Sequence, residues 1–290
     1  MAAPLPFCYL NGEYQPLADA RISPLDRGFL FADSVYEVLP VFDGRPYRFI
    51  EHFDRLERSL REIRIASPYS HADWLAILNG LTVRNDAKNY YAYLQVTRGM
   101  EFGRNHAFPV DCKPTVFALC CPLPELTQDN RGHGLSAITV EDFRWGRCDI
   151  KSTMLLANVL MKQAAAEADA NEAIIVCDGL VREGSSTSVF VIRDGVVATP
   201  PNSQRILPGT TRDAALDIAA GAIPTQVRAI SVDELRSADE IWIAAATRDV
   251  LPITKLDGAP VGNGKPGPLW QQMTELFTLD RNRLAGKPPL

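Results

Sequence analysis

The sequence predicts an α+β protein, and three observations carry that prediction. Tight-turn pairs recur along the chain: Asn11-Gly12, Asp43-Gly44, Asp178-Gly179 and Asp194-Gly195 each close a short apolar run. A strongly amphipathic helix stands among these strands without a regular strand–helix alternation. The order of elements is therefore mixed, unlike the βαβ array of a parallel sheet. At 290 residues, with 46% apolar and 22% charged side chains, the chain has a globular composition and length enough for about two domains. That excludes disordered, collagen-like and mucin-like classes.

In chain order, FCYLNGEY reads as a strand entering the Asn11-Gly12 turn. VYEVLPVF, Asp43-Gly44 and RPYRF repeat the pattern. Pro40 has no N–H to give a ladder, so its strand should have an edge or a bulge there. From Phe49 the period changes. Phe49, Phe53, Leu56, Leu60 and Ile63 form one apolar helical face, with Glu51, Asp54, Arg58 and Glu62 opposite. A second helix should start near His71-Ala72-Asp73. YYAYLQVTRG and TVFALCCPL read as strands flanking a polar loop at 99–114. The Pro- and Gly-bearing stretch 122–134 reads as a linker between a small N-terminal domain (1–121) and a larger C-terminal one (135–290). Beyond it, LSAITVEDFRW and RWGRCDI read as strands, with a helix following Lys151. EAIIVCDG, SVFVIRDG and IWIAAAT are further strands, and 211–220 is a helix.

Thirty basic against 35 acidic residues give a net charge of −5, the wrong sign for a nucleic-acid binder. The N-terminus lacks the basic and apolar regions of a signal peptide, and no run approaches the roughly 18 apolar residues of a membrane helix. A soluble, cytoplasmic protein is expected. Six cysteines without a C-x-x-C pair read as small thiols of a reducing compartment. Four histidines without helical pair spacing predict no metal site.

Several residues are chemical candidates. Lys151 is either solvated or a reactive amine at a junction between elements, where a partly buried lysine is a nucleophile toward carbonyls. Glu183, Gly184, Ser185, Ser186 and Thr187 form either a plain polar turn or an anion cradle of N–H and hydroxyl donors. Gly209, Thr210 and Thr211 open a helix, either as an ordinary cap or as a phosphate seat. Arg55 flanks the apolar face of its helix and either snorkels or pairs with a phosphate. Arg104 and His106 share a polar loop. Tyr36 and Glu37 alternate on a strand, so one of them faces inward.

The segments ARISPLDRGFLFADSVYEV, EHFDRLERSL, RCDIKSTMLLANVL, DGLVREGSSTSVFVI and ILPGTTRD occur in this order between Ala20 and Asp213, and the likeness they carry runs from about Phe7 to Asp257. In this they resemble the fold-type IV (class IV) pyridoxal-phosphate aminotransferases. The resemblance implies two α+β domains with the cofactor at their interface, and a homodimer. It implies that Lys151 forms the internal aldimine, that Glu183 pairs with the pyridine nitrogen, and that Arg55 holds the phosphate with the helix start at Thr210 and Thr211. Leu207 would lie beneath the ring, with Ser185 and Ser186 near the cofactor. Substrates would be an amino acid and a 2-oxo acid, in ping-pong half-reactions.

Within the family, the chain is most similar to the D-amino acid aminotransferases, acting on D-alanine, D-glutamate or D-aspartate. Arg104-Asn105-His106, 47 residues ahead of Lys151, resembles their R-x-H loop, which reaches the partner subunit's site and binds the substrate carboxylate with a strand tyrosine, here Tyr36. Gln95 stands where branched-chain L-enzymes carry an arginine. The alternatives are a branched-chain L-amino acid or (R)-amine transaminase, or an aminodeoxychorismate lyase. One departure is Ala245-Ala246, where relatives show Ser or Thr near the phosphate. Phosphate binding there would rest on backbone N–H groups.

Overall fold

A computed structural model of the chain describes residues 3–124 and 132–285. Most of the expected 122–134 linker, residues 125–131, lies outside the described residues. The chain forms two compact units. One comprises residues 3–124 with Ile150–Met154, and the other 132–149 with 155–285.

The first unit is built on a six-stranded antiparallel sheet. Its strands are β1 (Phe7–Leu10), β2 (Glu13–Pro16), β3 (Ser34–Phe42), β4 (Arg45–Pro46), β5 (Tyr90–Thr97) and β6 (Thr115–Pro122), in the order β2-β1-β6-β5-β3-β4. The hairpins β1–β2 and β3–β4 turn at Asn11-Gly12 and Asp43-Gly44, where both residues of each pair have positive φ. Only such residues adopt that turn cheaply, which is why the pairs were legible in the sequence. Three helices complete the unit: α1 (Arg27–Phe31), α2 (Phe49–Glu62) and α3 (His71–Asn85). Phe49, Phe53, Leu56 and Leu60 are buried as expected. Helix α3 starts at the predicted place because Ser70 and Asp73 cap each other's backbone N–H groups. Trp74, Leu78, Leu81, Tyr90 and Leu94 join the α2 residues in one core.

Strand β3 pairs with β5 along Ser34–Val41 but with β4 only at its last two residues. The Tyr36 N–H points away from β5 and donates to the Lys151 carbonyl, 2.9 Å away. Pro40, four residues on, therefore turns its nitrogen to the same outer edge, where a missing donor costs no β5 bond. That edge is not bare. Ser152 bridges Val35, and Thr153 N–H donates to the Ser34 carbonyl.

The second unit carries a nine-stranded mixed sheet. Its strands are β7 (Leu135–Glu141), β8 (Glu172–Cys177), β9 (Leu180–Gly184), β10 (Ser188–Arg193), β11 (Val196–Thr199), β12 (Thr225–Val227), β13 (Glu240–Ala245), β14 (Asp249–Leu256) and β15 (Ala259–Pro260). The order is β12-β11-β10-β13-β14-β7-β8-β9, with β15 beside β14. Helices α4 (Leu156–Glu167), α5 (Thr210–Ala219), α6 (Val232–Arg236) and α7 (Pro268–Ala285) complete it. Strand β13 is buried on both faces, as its unbroken apolar run implied.

Two expectations fail here. RWGRCDI is not a strand, because its arginines turn back onto acids two residues away: Arg144 pairs with Asp142 and Arg147 with Asp149. The helix after Lys151 begins only at Leu156, because Ile150–Thr153 is drawn out along the edge of β3.

Candidate active site

In the first unit, Lys151 is held by its backbone. Its N–H donates to Ser59 Oγ at 3.2 Å and its carbonyl accepts from Tyr36. The ammonium lies 4.3 Å from the centroid of the Tyr36 ring. No acidic partner for it exists among the described residues, so the half-buried amine rests on an aromatic face instead of in an ion pair. Tyr36 stacks on Tyr93 at 5.7 Å, and the Tyr93 hydroxyl donates to Gln95. Burial pushes that hydroxyl's pKa up to about 12.

Of the alternating pair, Glu37 is the residue that faces inward. It is fully buried and accepts from Arg55 Nε (2.7 Å), Arg55 Nη2 (2.8 Å) and His52 Nδ1 (2.9 Å). Burial alone would raise the Glu37 carboxyl, but the Arg55 guanidinium and the His52 hydrogen bond hold it far below the usual carboxylate range. Burial lowers His52, against the pull of Glu37 and with help from the Arg55 and Lys151 charges. Arg55 is thus buried and committed along one edge to Glu37. The sequence did not show this pairing, because its members stand fifteen and eighteen residues apart.

Arg104 and His106 are exposed on the 99–114 loop of the same unit. The Arg104 guanidinium lies 5.2 Å from the Phe31 ring, and His106 meets that ring edge-on at 5.3 Å. The chain does not bring Tyr36 into contact with either residue.

In the second unit, Glu183 stands next to last in β9. One carboxylate oxygen takes Arg144 Nη1 and the other the Leu207 N–H, at 3.0 Å. Arg144 is also gripped by both oxygens of Asp142, at 3.0 Å each. Burial would lower Arg144, but the two carboxylates raise it further above its ordinary range. Sequence reasoning missed Arg144; the only available signal was that a buried Glu183 needs a cationic partner.

The 185–187 turn is organised by a second buried carboxylate, Glu172. Ser185 Oγ donates to it, Thr187 Oγ1 does so at 3.2 Å, and Ser186 Oγ stands at 3.4 Å. The Ser185 and Thr187 hydroxyls are therefore spent inside the protein. The main chain of the turn is engaged as well: the Ser185 N–H donates to the Ala173 carbonyl, the Gly184 N–H to that of Thr187, and the Ser185 carbonyl accepts from Asn158.

Helix α5 starts at Thr210 with Gly209 as a cap that supplies no side-chain oxygen. Its first ladder bond is Asp213 N–H to the Gly209 carbonyl, so the N–H groups of its first turn lie outside the helix's own ladder. A Cβ on Gly209 would crowd Ser188 Oγ, so any larger residue there would make that serine turn away. These features fit a phosphate at the helix start. In the first unit, the Lys151 amine on its aromatic seat fits an aldehyde. Ala245 closes β13 into a tight turn, with Arg248 N–H on its carbonyl.

The family model for class IV aminotransferases matches residues 34–256. The D-alanine aminotransferase of Bacillus licheniformis is 41% identical over 262 residues, covering 89% of this chain and 91% of that protein. That of Staphylococcus aureus (strain MSSA476) is 39% identical over 271 residues, covering 93% and 95%. A solved branched-chain amino acid aminotransferase of T.th., with pyridoxamine 5′-phosphate, has the same fold, with a TM-score of 0.87 at 24% identity, over 94% of this chain and 93% of that one. The chain belongs to the class IV aminotransferases, a family of pyridoxal-phosphate enzymes.

Proposed function

We propose that the chain is a transaminase of D-amino acids, moving an amino group from D-alanine, D-glutamate or D-aspartate to a 2-oxo acid. The observation that carries this reading is the Lys151 amine, seated on Tyr36 without an acid to neutralise it. The D-alanine aminotransferases at 41% and 39% identity support the handedness.

Bound pyridoxal phosphate supplies an electron sink that makes the Cα–H of a joined amino acid acidic. Lys151 would hold the cofactor and, once released, would serve as the general base and general acid that moves that proton. Glu183, oriented by Arg144 and the Leu207 N–H, would pair with the pyridine nitrogen and favour its protonated form. The first turn of α5, with Thr210 and Thr211, holds the phosphate together with Arg55, and Leu207 supports the ring. Ser185 and Ser186, on the turn ordered by Glu172, would lie near the cofactor.

Tyr36, Arg104 and His106 are proposed to bind the substrate carboxylate. Because the chain leaves Arg104 and His106 apart from Tyr36, the loop serves a second subunit in a homodimer. Phe102 and Val110 on that loop are 86% and 96% exposed, which suits a surface to be covered. No helix of the described residues is long and apolar enough to cross a membrane; a cytoplasmic location fits six free thiols.

The test is a panel of D- and L-amino acids with pyruvate or 2-oxoglutarate as acceptor. Turnover of D-alanine but not L-leucine is expected. Half-transamination by L-leucine with none by D-alanine would overturn the D-assignment.

A further inference from the structure

Helix α1 is only five residues long, yet its first residue is among the most heavily bonded side chains of the first unit. Arg27 is 3% exposed. Its Nε donates to Asp33 at 2.9 Å and its Nη1 to Glu101 at 2.9 Å. The same guanidinium donates to two loop carbonyls: Nη1 to that of Asn105 at 2.6 Å and Nη2 to that of His106 at 3.2 Å. Its face lies 4.9 Å from the centroid of the Phe31 ring, the ring that also seats Arg104 and His106.

A second arginine completes the clamp. Arg98 shares Asp33 through Nε (2.7 Å) and Nη2 (3.0 Å) and ties to the carbonyls of Ile63 and Arg64 just beyond α2. Its guanidinium lies 3.7 Å from the centroid of Phe108. Two arginines sharing one aspartate therefore grip the loop on both sides of residues 104–106. The base of the loop is fixed as well. Gly99 (φ +102°) lets the Lys113 carbonyl approach into the space a Cβ would fill, and its own carbonyl accepts the Arg27 N–H at 2.8 Å.

Exposed loop side chains ordinarily lose substantial rotamer freedom when they bind a ligand. Here the backbone carbonyls beside Arg104 and His106 are bonded to a buried guanidinium, and both side chains rest on one ring. We infer that Arg27, with Phe31, is a positioning residue for carboxylate recognition: it presets the Arg104–His106 loop in its binding geometry. The inference rests on the proposed role of that loop. The planar fork is essential to it, since lysine offers a point charge that cannot span Asp33, Glu101 and two carbonyls.

The test compares Arg27→Lys, Phe31→Leu and Arg104→Met in the holoenzyme. It measures KM and kcat for D-alanine, inhibition by propionate (a carboxylate without an amine), and the absorbance of the bound cofactor. Arg104→Met should raise KM about 30-fold or more. Arg27→Lys should raise it on the order of 10–100-fold, as for a misplaced recognition group. Propionate inhibition should weaken by a similar factor, while kcat and absorbance stay near wild type. Phe31→Leu should act in the same direction, and it decides alone if Arg27→Lys does not fold. If Arg104→Met raises KM while Arg27→Lys and Phe31→Leu leave it unchanged, the inference fails and the loop reading stands. If Arg104→Met also leaves KM unchanged, both fail. Parallel losses of KM, kcat and absorbance in Arg27→Lys and Phe31→Leu would mark a general structural role and overturn the inference.

Discussion

Each unit buries a carboxylate against a guanidinium, but the two carboxylates are finished differently. Glu37 is wholly enclosed, and both its oxygens are taken by side chains, two nitrogens of Arg55 and one of His52. Glu183 gives one oxygen to Arg144, which Asp142 also grips, and the other to the Leu207 N–H. Glu37 is thus held by two side chains of one helix, and Glu183 in part by the main chain. Under the proposed function the first carboxylate fixes its neighbours and the second meets the cofactor. Lys151 marks the same division from the cationic side: it is placed by its backbone and left without an acid.

Substitutions should divide along that line. Lys151→Ala should cost the largest share of activity, on the order of 10²–10⁴-fold from the lost proton transfer alone, with the fold intact by circular dichroism. Near-normal turnover would remove Lys151 from the chemistry. Glu183→Gln keeps the shape and loses the charge. It should retain cofactor but slow turnover on the order of 10²–10³-fold, the scale of losing one electrostatic contact to a transition state. Turnover near wild type would mean that Glu183 is not the partner of the ring nitrogen.

Glu37→Gln should instead act on stability, by about 3–5 kcal/mol, because it leaves Arg55 buried beside a neutral group. Chemical denaturation measures it. A pH series sharpens the contrast. The folded protein disfavours the proton on His52, so the unfolded chain binds more protons below about pH 6.5 and stability falls as pH drops. Glu37, whose carboxyl is held low, adds a second loss below about pH 4.3. Glu37→Gln should flatten that second step. A wild-type melting temperature unchanged from about pH 8 to about pH 5 would contradict the first, and one unchanged on further acidification to about pH 3 the second.

What was legible in the sequence was local. The Asn-Gly and Asp-Gly turns were readable because few residues tolerate positive φ, and α2 because four apolar residues repeat on one face. The edge at Pro40 followed from its missing donor. The path of Lys151 was not readable: Ser152 meets Val35 more than a hundred residues away in the chain, and no local pattern encodes that. RWGRCDI misled because β-prone residues conceal two arginine–aspartate pairs closed within two residues. The site residues themselves came from five motifs in order, since each alone reads equally well as a turn or a cap. Arg144, Glu172 and Arg27 were invisible because the partners that matter for the site, Glu183, the 185–187 turn and the 101–106 loop, lie 13 or more residues away.

The central claim is that Lys151 is the one lysine that joins the cofactor. Reduction of the holoenzyme with borohydride, digestion and peptide mapping test it most directly. The label should lie on Lys151 and on no other lysine. A label on Lys162 or Lys255 would contradict the account.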